Sequence, residues 1–229
     1  MRFLPLLLAC GALAVAGAGR AADAPKIEGP LYVTTYIEVA PDAAGSTLAA
    51  LKAYRNDSLK EGASAADIFQ ETGQASRFVV SEIWKDQQSL QAHEKSPSMA
   101  TLAERLKPVS FKPLDVREHS FYLGTPYKAP LAGDFFVISH LDVYGPGVAI
   151  LQSAFKPLAE ESRKEKGVER YEILDQTVPH ANHFRLFEEW ASEKDWVAHN
   201  LSQHVQNFQA ALPGYIGTPY DQRLYRLAN

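Results

Sequence analysis

Two histidines at matching places in a repeated sequence are the first residues of this chain that could carry chemistry. His93 and His199 are 106 residues apart, and each lies nine residues after a tryptophan, Trp84 or Trp190. The same spacing relates Phe78, Ser96, Pro113, Asp115 and Arg117 to Phe184, Ser202, Pro219, Asp221 and Arg223. Histidine suits proton transfer because its pKa lies close to neutral pH. The repeat indicates a duplicated unit, so any pocket of one copy has a counterpart in the other.

A third histidine, His140, lies where the second copy begins. Segments 32–39 and 136–143 match at a spacing of about 104, and this places His140 opposite Tyr36. Both residues alternate with aliphatic side chains, which is typical of a strand with two different faces. Tyr36 and His140 are therefore equivalent positions of the two copies.

The elements that must position these residues occur in the same order in both halves. Each half begins with a strand and a helix, continues with a two-stranded hairpin, and ends with a second helix and a last strand. The predicted strands cover 32–39, 66–71, 77–84 and 116–123 in the first half, and 135–143, 169–175, 183–190 and 222–227 in the second. The order βαββαβ is the ferredoxin-like motif.

One such unit would leave a face of its sheet uncovered, because its helices pack on one side only. Two units in one chain can cover each other. We therefore predict an α+β fold in which two ferredoxin-like βαββαβ units pack sheet to sheet as a barrel within one polypeptide. The two units are assigned to 31–127 and 133–229, and the linker between them is too short to let them separate.

The first 22 residues are interpreted as a signal peptide. Arg2 precedes an apolar stretch that ends in small residues, and neither this stretch nor any later one is long enough to span a membrane. We expect a periplasmic or secreted protein, and lipidation of Cys10 is the competing interpretation. Cys10 is the sole cysteine, so a mature domain has no disulfide.

Loss of Arg2 and Arg20 with the signal peptide leaves 21 basic against 27 acidic residues. This negative net charge disfavours nucleic acid as a partner.

The segments around the two tryptophans resemble those of a known family. Residues 81–99 are similar to the hallmark segment of the antibiotic-biosynthesis monooxygenase (ABM) family, in the dimeric α/β-barrel superfamily, and residues 188–202 keep part of the pattern. The resemblance implies membership of a group of small proteins, usually homodimers, that oxygenate quinols or anthrones without metal or flavin. For this chain it implies an internal pseudo-dimer that can oligomerise further, no cofactor, and a small aromatic substrate and dioxygen as partners.

The same resemblance leaves other functions open. Relatives in the superfamily degrade haem, isomerise small metabolites or have no known activity, and a fold alone does not choose among them. The alternatives are a non-catalytic periplasmic small-molecule-binding protein and a haem-binding or haem-degrading relative. His93 and His199 occupy the position at which the haem-degrading relatives carry a pocket tryptophan.

Cofactor-free oxygenation of a phenol needs a base, because the anion is the form that passes an electron to dioxygen. Histidine fits this role, and we order the candidates His140, His93 and His199. Pro97 should break the helix just after His93 and re-aim that histidine. A straight helix in the second half would point His199 about 150° away from the apolar stripe. For both of these histidines, bracing of the helix is the competing role.

Aromatic and acidic residues are the candidate walls of a pocket beneath the helices of each half. They are Tyr36, Tyr54, Trp84, Trp190, Glu82 and Glu188. Core packing is the competing role of the tryptophans. A carboxylate on an apolar strand face needs a partner, and we expect Arg117 or Arg223 to pair with the two glutamates.

We predict no metal site, although His180 and His183 lie three residues apart with His199 and His204 downstream. His180 falls in a proline-containing turn, no cysteine is available, and no carboxylate lies at a fixed spacing from these histidines.

Overall fold

The computed structural model describes residues 29–229, so the predicted signal peptide at 1–22 and Cys10 lie outside the described residues. The strands are β1 (Leu31–Glu38), β2 (Ala65–Glu71), β3 (Arg77–Trp84), β4 (Asp115–Gly124), β5 (Phe135–Asp142), β6 (Val168–Val178), β7 (His183–Trp190) and β8 (Asp221–Leu227). The helices are α1 (Ala44–Lys60), α2 (Gln87–Glu94), α3 (Pro97–Leu106), α4 (Val148–Ser162), α5 (Glu193–Asn200) and α6 (Gln203–Ala211).

The eight strands form one closed barrel to which each half contributes a continuous arc of four. Their order around the barrel is β1-β3-β2-β8-β5-β7-β6-β4. The halves join twice, where β2 pairs with β8 and where β4 pairs with β6, and both joints are antiparallel. The predicted α+β fold of two ferredoxin-like units packed as an internal pseudo-dimer is therefore confirmed.

Alternation along each strand separates the barrel interior from the helix-covered exterior. In β1, Leu31, Val33 and Ile37 pack in clusters on the outer face with residues of the helices, whereas Tyr32 and Tyr36 join clusters inside the barrel. This arrangement follows from the two-residue period of a strand, which sends successive side chains to opposite faces. The position of a residue along its strand therefore decides whether its side chain lies inside the barrel or on the outer face beneath the helices.

The larger apolar clusters of the described residues lie one beneath the helices of each half and one inside the barrel. Phe78 and Leu51 belong to the first outer core, and Phe184 and Phe155 belong to the second. The interior core includes Phe69, Val79, Phe136, Ile138, Phe187 and Tyr225. Burial of each such side chain stabilises the fold by about 1.5–3 kcal/mol. The barrel is thus filled along much of its length by aromatic packing.

The second helical region of each half is broken into two helices. Pro97 follows the N-cap Ser96 of α3, as the predicted break requires. The straight helix predicted for the second half is wrong, because α5 ends at Asn200 and α6 starts at Gln203. Ser202 lies in extended backbone at the start of α6. Both breaks fall at the shared serine, Ser96 or Ser202, so His93 and His199 each occupy the second-to-last position of the helix before the break.

Within residues 29–229, every helix is too short or too polar to serve as a membrane span.

Candidate functional site

A cavity of about 450 Å³ opens at one mouth of the barrel. Strand ends of both halves line it, together with the loops that follow them. The lining residues are Tyr36, Lys112, Asp115, Arg117, His140, Asp142, Gln176, Pro179, His180, His183, Thr218, Asp221 and Arg223. Small-molecule sites occupy roughly 300–1,000 Å³, so this space suits a compact ligand.

Tyr36 and His140 meet in this cavity, one from each half. The Tyr36 hydroxyl is hydrogen-bonded to Nε2 of His140, and the ring centroids lie 5.1 Å apart. Since these two residues are equivalent in the repeat, their contact lies on the pseudo-twofold axis. The duplication has thus placed a phenol and an imidazole where an unduplicated homodimer would place two copies of one residue.

Two arginines flank this pair, and each is held by an aspartate two residues earlier on its own strand. Arg117 Nη2 lies 2.7 Å from Asp115 Oδ2, and Arg223 Nη2 lies 2.7 Å from Asp221 Oδ2. Arg117 also reaches the axis, because its Nη1 is 3.4 Å from Nδ1 of His140 and its guanidinium carbon is 5.0 Å from the Tyr36 ring centroid.

Burial and the nearby guanidinium groups set the charge states at the axis. Burial lowers the pKa of His140 well below its usual value, and Arg117 lowers it further. Burial raises the pKa of Tyr36 to about 12, although Arg185 and Arg117 oppose this shift. Both groups are therefore neutral at neutral pH, in surroundings that disfavour an added positive charge.

A second imidazole, His183, faces the same cavity from β7. Its Nε2 lies 3.2 Å from Oδ1 of Asp142, which follows from the β5–β7 register that pairs these two residues. The His180 ring lies 5.9 Å from the His183 ring. Sequence reasoning considered His180 and His183 only as metal ligands. The register of the non-consecutive strands β5 and β7 brings His183 and Asp142 together, and it could have been inferred from the ferredoxin-like strand order.

His93 is a buried residue of α2, which packs on the outer face of the sheet. Its Nδ1 is 2.6 Å from Oε2 of Glu61, and its Nε2 is 2.7 Å from the Tyr54 hydroxyl. Tyr54 in turn donates to Oε2 of Glu82 at 3.1 Å, and the Trp84 ring stacks on the imidazole at 4.5 Å. Both ring nitrogens are occupied in a buried network, which is the arrangement of a bracing histidine.

His199 occupies the equivalent buried position in α5. Its Nδ1 is 2.6 Å from Oε2 of Glu165, and its Nε2 is 3.6 Å from Oε2 of Glu188. Trp190 donates to the same Glu188 oxygen at 3.0 Å, and its ring centroid is 4.7 Å from the imidazole. This network lacks the tyrosine of the first half, since Leu158 corresponds to Tyr54.

The carboxyl groups of the two networks differ in their pKa values. Burial raises the pKa of Glu61, but hydrogen bonds from His93, Ser98 and Ser96 outweigh burial and lower it. In the second half burial raises the pKa of Glu165 to about 7 and that of Glu188 to about 8. The carboxylate form is thus favoured at Glu61 and disfavoured at its counterpart Glu165.

The family of this chain is decided by two matches to one domain. The sequence profile described as antibiotic biosynthesis monooxygenase matches residues 30–105 and again 135–211, which together exceed half of the chain. This chain belongs to the antibiotic biosynthesis monooxygenase family. Each matched range contains three strands of the barrel, and the fourth strand of each half, β4 or β8, follows the match. No curated protein matches the sequence.

Solved structures that align over most of this chain, and therefore over both units, share the fold of this ABM protein. A candidate monooxygenase from Fusobacterium nucleatum superposes with a TM-score of 0.73 at 14% identity, covering 88% of this chain and 93% of its own. An anthrone oxidase-like protein gives 0.72 at 10% identity, with 87% and 91% covered. A candidate monooxygenase from Lactobacillus acidophilus gives 0.67 at 12% identity, with 88% and 95% covered.

The residues predicted to line a pocket lie at three separate places in this ABM protein, namely the barrel mouth and the surroundings of His93 and of His199. Tyr36 and His140 share the barrel mouth. Tyr54, Glu82 and Trp84 surround His93, and Trp190 and Glu188 surround His199. The pairing of Glu82 and Glu188 with Arg117 or Arg223 is wrong, because these arginines bind Asp115 and Asp221. The arginines are on the inner face of the sheet and the glutamates are on the outer face.

Proposed function

We propose that this ABM protein is an exported, cofactor-independent monooxygenase that acts on a small phenolic aromatic, such as an anthrone or a quinol. The observation that carries the proposal is the contact between Tyr36 and His140 inside the barrel-mouth cavity, with Arg117 and Arg223 beside it. A base, a donor and two cations around one compact space are what deprotonation of a phenol requires.

Proton removal runs through the axial pair. The Tyr36 oxygen accepts the phenolic proton of the substrate while its own proton passes to Nε2 of His140, which is already its hydrogen-bond partner. A neutral imidazole has one acceptor nitrogen, and the relay requires the tautomer in which this is Nε2. Nδ1 then carries the hydrogen, so the 3.4 Å contact with Arg117 is not a hydrogen bond in the reacting form. Because the pKa of His140 is held below its usual value by burial and by Arg117, the base is unprotonated at neutral pH.

The arginines lower the cost of forming the substrate anion. Arg117 and Arg223 line the cavity, and their aspartates fix them in place. The positive potential that disfavours a protonated His140 favours a phenolate or enolate in the same space. The substrate anion and the protonated His140 carry opposite charges in the same cavity. Each charge therefore stabilises the other.

The oxygenation step then consumes one dioxygen per substrate. The anion gives one electron to dioxygen, and the substrate radical and superoxide combine at the activated carbon to form a peroxide. For an anthrone, the ring CH2 becomes C=O, and the second oxygen atom leaves as water with the two hydrogens of that carbon. The substrate supplies both electrons for that water, so no external reductant is consumed.

Oxygen uptake tests this proposal most simply. The protein is incubated with a panel of anthrones and hydroquinones in an oxygen electrode cell, and the product is analysed after reaction under ¹⁸O₂. We expect one dioxygen consumed per anthrone and one labelled atom in the ketone, with no added cofactor. Compounds that raise the melting temperature but are never turned over would contradict the enzyme and indicate a binding protein instead, because a ligand of the native state stabilises it.

A further inference from the structure

Three side chains beneath the helices of the second half converge on one point. Glu165, His199 and His204 each place a potential ligand atom within 4.8 Å of those of the other two. Glu165 lies in the turn after α4, His199 is near the end of α5, and His204 is in the first turn of α6. Two imidazoles and one carboxylate form a common ligand set for a divalent transition metal such as zinc.

The spacings suit such an ion. Ligands about 2.0–2.1 Å from a tetrahedral centre are roughly 3.3 Å from one another. Oε1 of Glu165 lies 3.4 Å from Nε2 of His204, which already matches. Oε2 of Glu165 lies 2.6 Å from Nδ1 of His199, so an ion would replace that hydrogen bond and widen the pair by less than about 1 Å.

The surroundings of His199 supply the outer support that a metal ligand normally has. A metal-bound imidazole usually donates its other ring N–H to a carboxylate. Nε2 of His199 faces Glu188 at 3.6 Å, and Trp190 holds that carboxyl group in place. The second Glu188 oxygen, Oε1, is buried without a hydrogen-bond partner. The imidazole is held with Nδ1 toward Glu165 by the 2.6 Å contact, while Nε2 points toward Glu188 at a distance longer than a hydrogen bond.

The site is also open enough for an ion to enter. The His199 side chain is 3% exposed, whereas Glu165 and His204 are 21% and 18% exposed. One ligand is therefore anchored in the core and two lie at the surface. A water can complete the coordination from the solvent side.

The first half offers an internal comparison. Glu61 and His93 repeat the carboxylate–imidazole contact at the same 2.6 Å. Ser98 stands where the second half has His204, and it hydrogen-bonds Ser96 at 2.8 Å. Because the first half forms the same pair of helices with a serine there, the fold does not require a histidine at position 204.

We propose that Glu165, His199 and His204 bind one divalent transition-metal ion of the zinc type, and that the first half binds none. The bound ion ties the end of α4 to the junction of α5 and α6. It takes no part in the reaction at the barrel mouth, because β7 separates His183 in the cavity from Trp190 beside His199 by seven residues, roughly 23 Å.

Calorimetric titration of the chelator-treated protein with ZnCl₂ tests this site. We expect one ion per chain for the wild type and at least about 100-fold weaker binding for His204→Ser. A loss of that size is larger than the roughly 10–100-fold expected when a residue only supports a metal ligand. His204→Ser copies the residue of the first half, and His180→Ser with His183→Ser is the matched control that should bind as the wild type does. Unchanged binding by His204→Ser, or no binding by the wild type at micromolar zinc, would overturn the proposal.

Cobalt(II) gives a second measurement that does not depend on how well the variant folds. Wild-type protein loaded with Co²⁺ should show the visible absorption of a four- or five-coordinate nitrogen and oxygen site. A spectrum like that of hexaaqua Co²⁺ would contradict the site. Turnover of phenolic substrates is measured separately, so loss of either proposal leaves the other standing.

Discussion

Histidines on the two faces of the same barrel wall have different surroundings. On the inner face, His140 meets a tyrosine and an arginine at the edge of a 450 Å³ cavity. On the outer face, His93 and His199 are buried residues of α2 and α5, with both ring nitrogens directed at carboxyl or phenol groups of the protein. A histidine that contacts a cavity can exchange a proton with a ligand, whereas the outer pair has its nitrogens engaged by the fold.

The outer pair shows in addition what duplication does to a structural cluster. Both copies keep the histidine, the tryptophan and the two glutamates, but Tyr54 corresponds to Leu158 and Ser98 corresponds to His204. The first copy therefore completes its network with hydroxyl groups. In the second copy an imidazole takes the place of one of them, so one copy can gain a metal site while the other still braces its helix.

Replacement of His140 should have the largest effect. His140→Ala removes the terminal base of the relay, and general-base catalysis is typically worth about 10²–10⁴-fold. We expect kcat/KM for an anthrone to fall by that factor, measured by oxygen uptake. His204→Ser, on the outer face, serves as the matched control and should retain wild-type turnover. An equal loss in both variants would contradict the difference between the two faces.

Removal of a cavity cation should have the next largest effect. Arg117→Met keeps an unbranched, flexible side chain similar to the aliphatic part of arginine but removes the charge that stabilises the substrate anion, and we expect kcat to fall by about 10²-fold. Arg226→Met is the control, because Arg226 also lies in a strand but binds Gln70 outside the cavity. The hypothesis that the arginines stabilise an anion fails if Arg226→Met lowers kcat as much as Arg117→Met.

Replacement of His93 should change stability rather than catalysis. His93→Gln leaves the buried Tyr54 hydroxyl and the more exposed Glu61 carboxylate imperfectly paired, which costs on the order of 1–3 kcal/mol in the free energy of unfolding. Urea denaturation measures this loss, and His180→Gln, in the cavity loop, is the control for stability. Turnover by His93→Gln should stay within about twofold of the wild type. A large loss of turnover with unchanged stability would place the chemistry on the outer face.

The pH dependence of turnover should be the mildest effect near neutrality. The folded-state pKa of His140 lies well below 6.5 because of burial and Arg117, so the neutral base is present above that pKa and is lost only as the pH falls through it. We expect kcat/KM to be flat on the acid side of neutrality and to decline only below pH 6.5. An acid limb centred at or above 6.5 would mean that a less buried histidine is the base.

The fold follows from the sequence because its two signals, a local alternation and a long-range repeat, are both visible in the order of the residues. Period-two alternation identified the strands, and the shared spacing of Trp84 with Trp190 and of His93 with His199 identified the repeat. Helix ends were harder. The break at Ser202 lacks the proline that marked the break at Pro97, and a serine within a helical pattern does not by itself end a helix.

The site was harder to predict because both faces of the strands are buried. Of the eight residues of β7 only His183 is not buried, so burial did not indicate which face bordered a cavity. Tyr36 and His140 were correctly paired as equivalents, but their contact depends on closure of the barrel at the pseudo-twofold axis. Glu165 lies 34 residues before His199, a separation at which no spacing rule could have suggested a shared ion.

The central claim is that substrate binds at the inner face of the barrel, and NMR of the histidine side chains tests it most directly. Protein labelled with ¹⁵N-histidine is titrated with a hydroquinone in the presence of EDTA, and the imidazole signals are assigned with single variants. We predict that the signals of His140 and His183 shift with a common binding isotherm while those of His93 and His199 stay in place. Shifts confined to His93 and His199 would contradict the account and move the site beneath the helices.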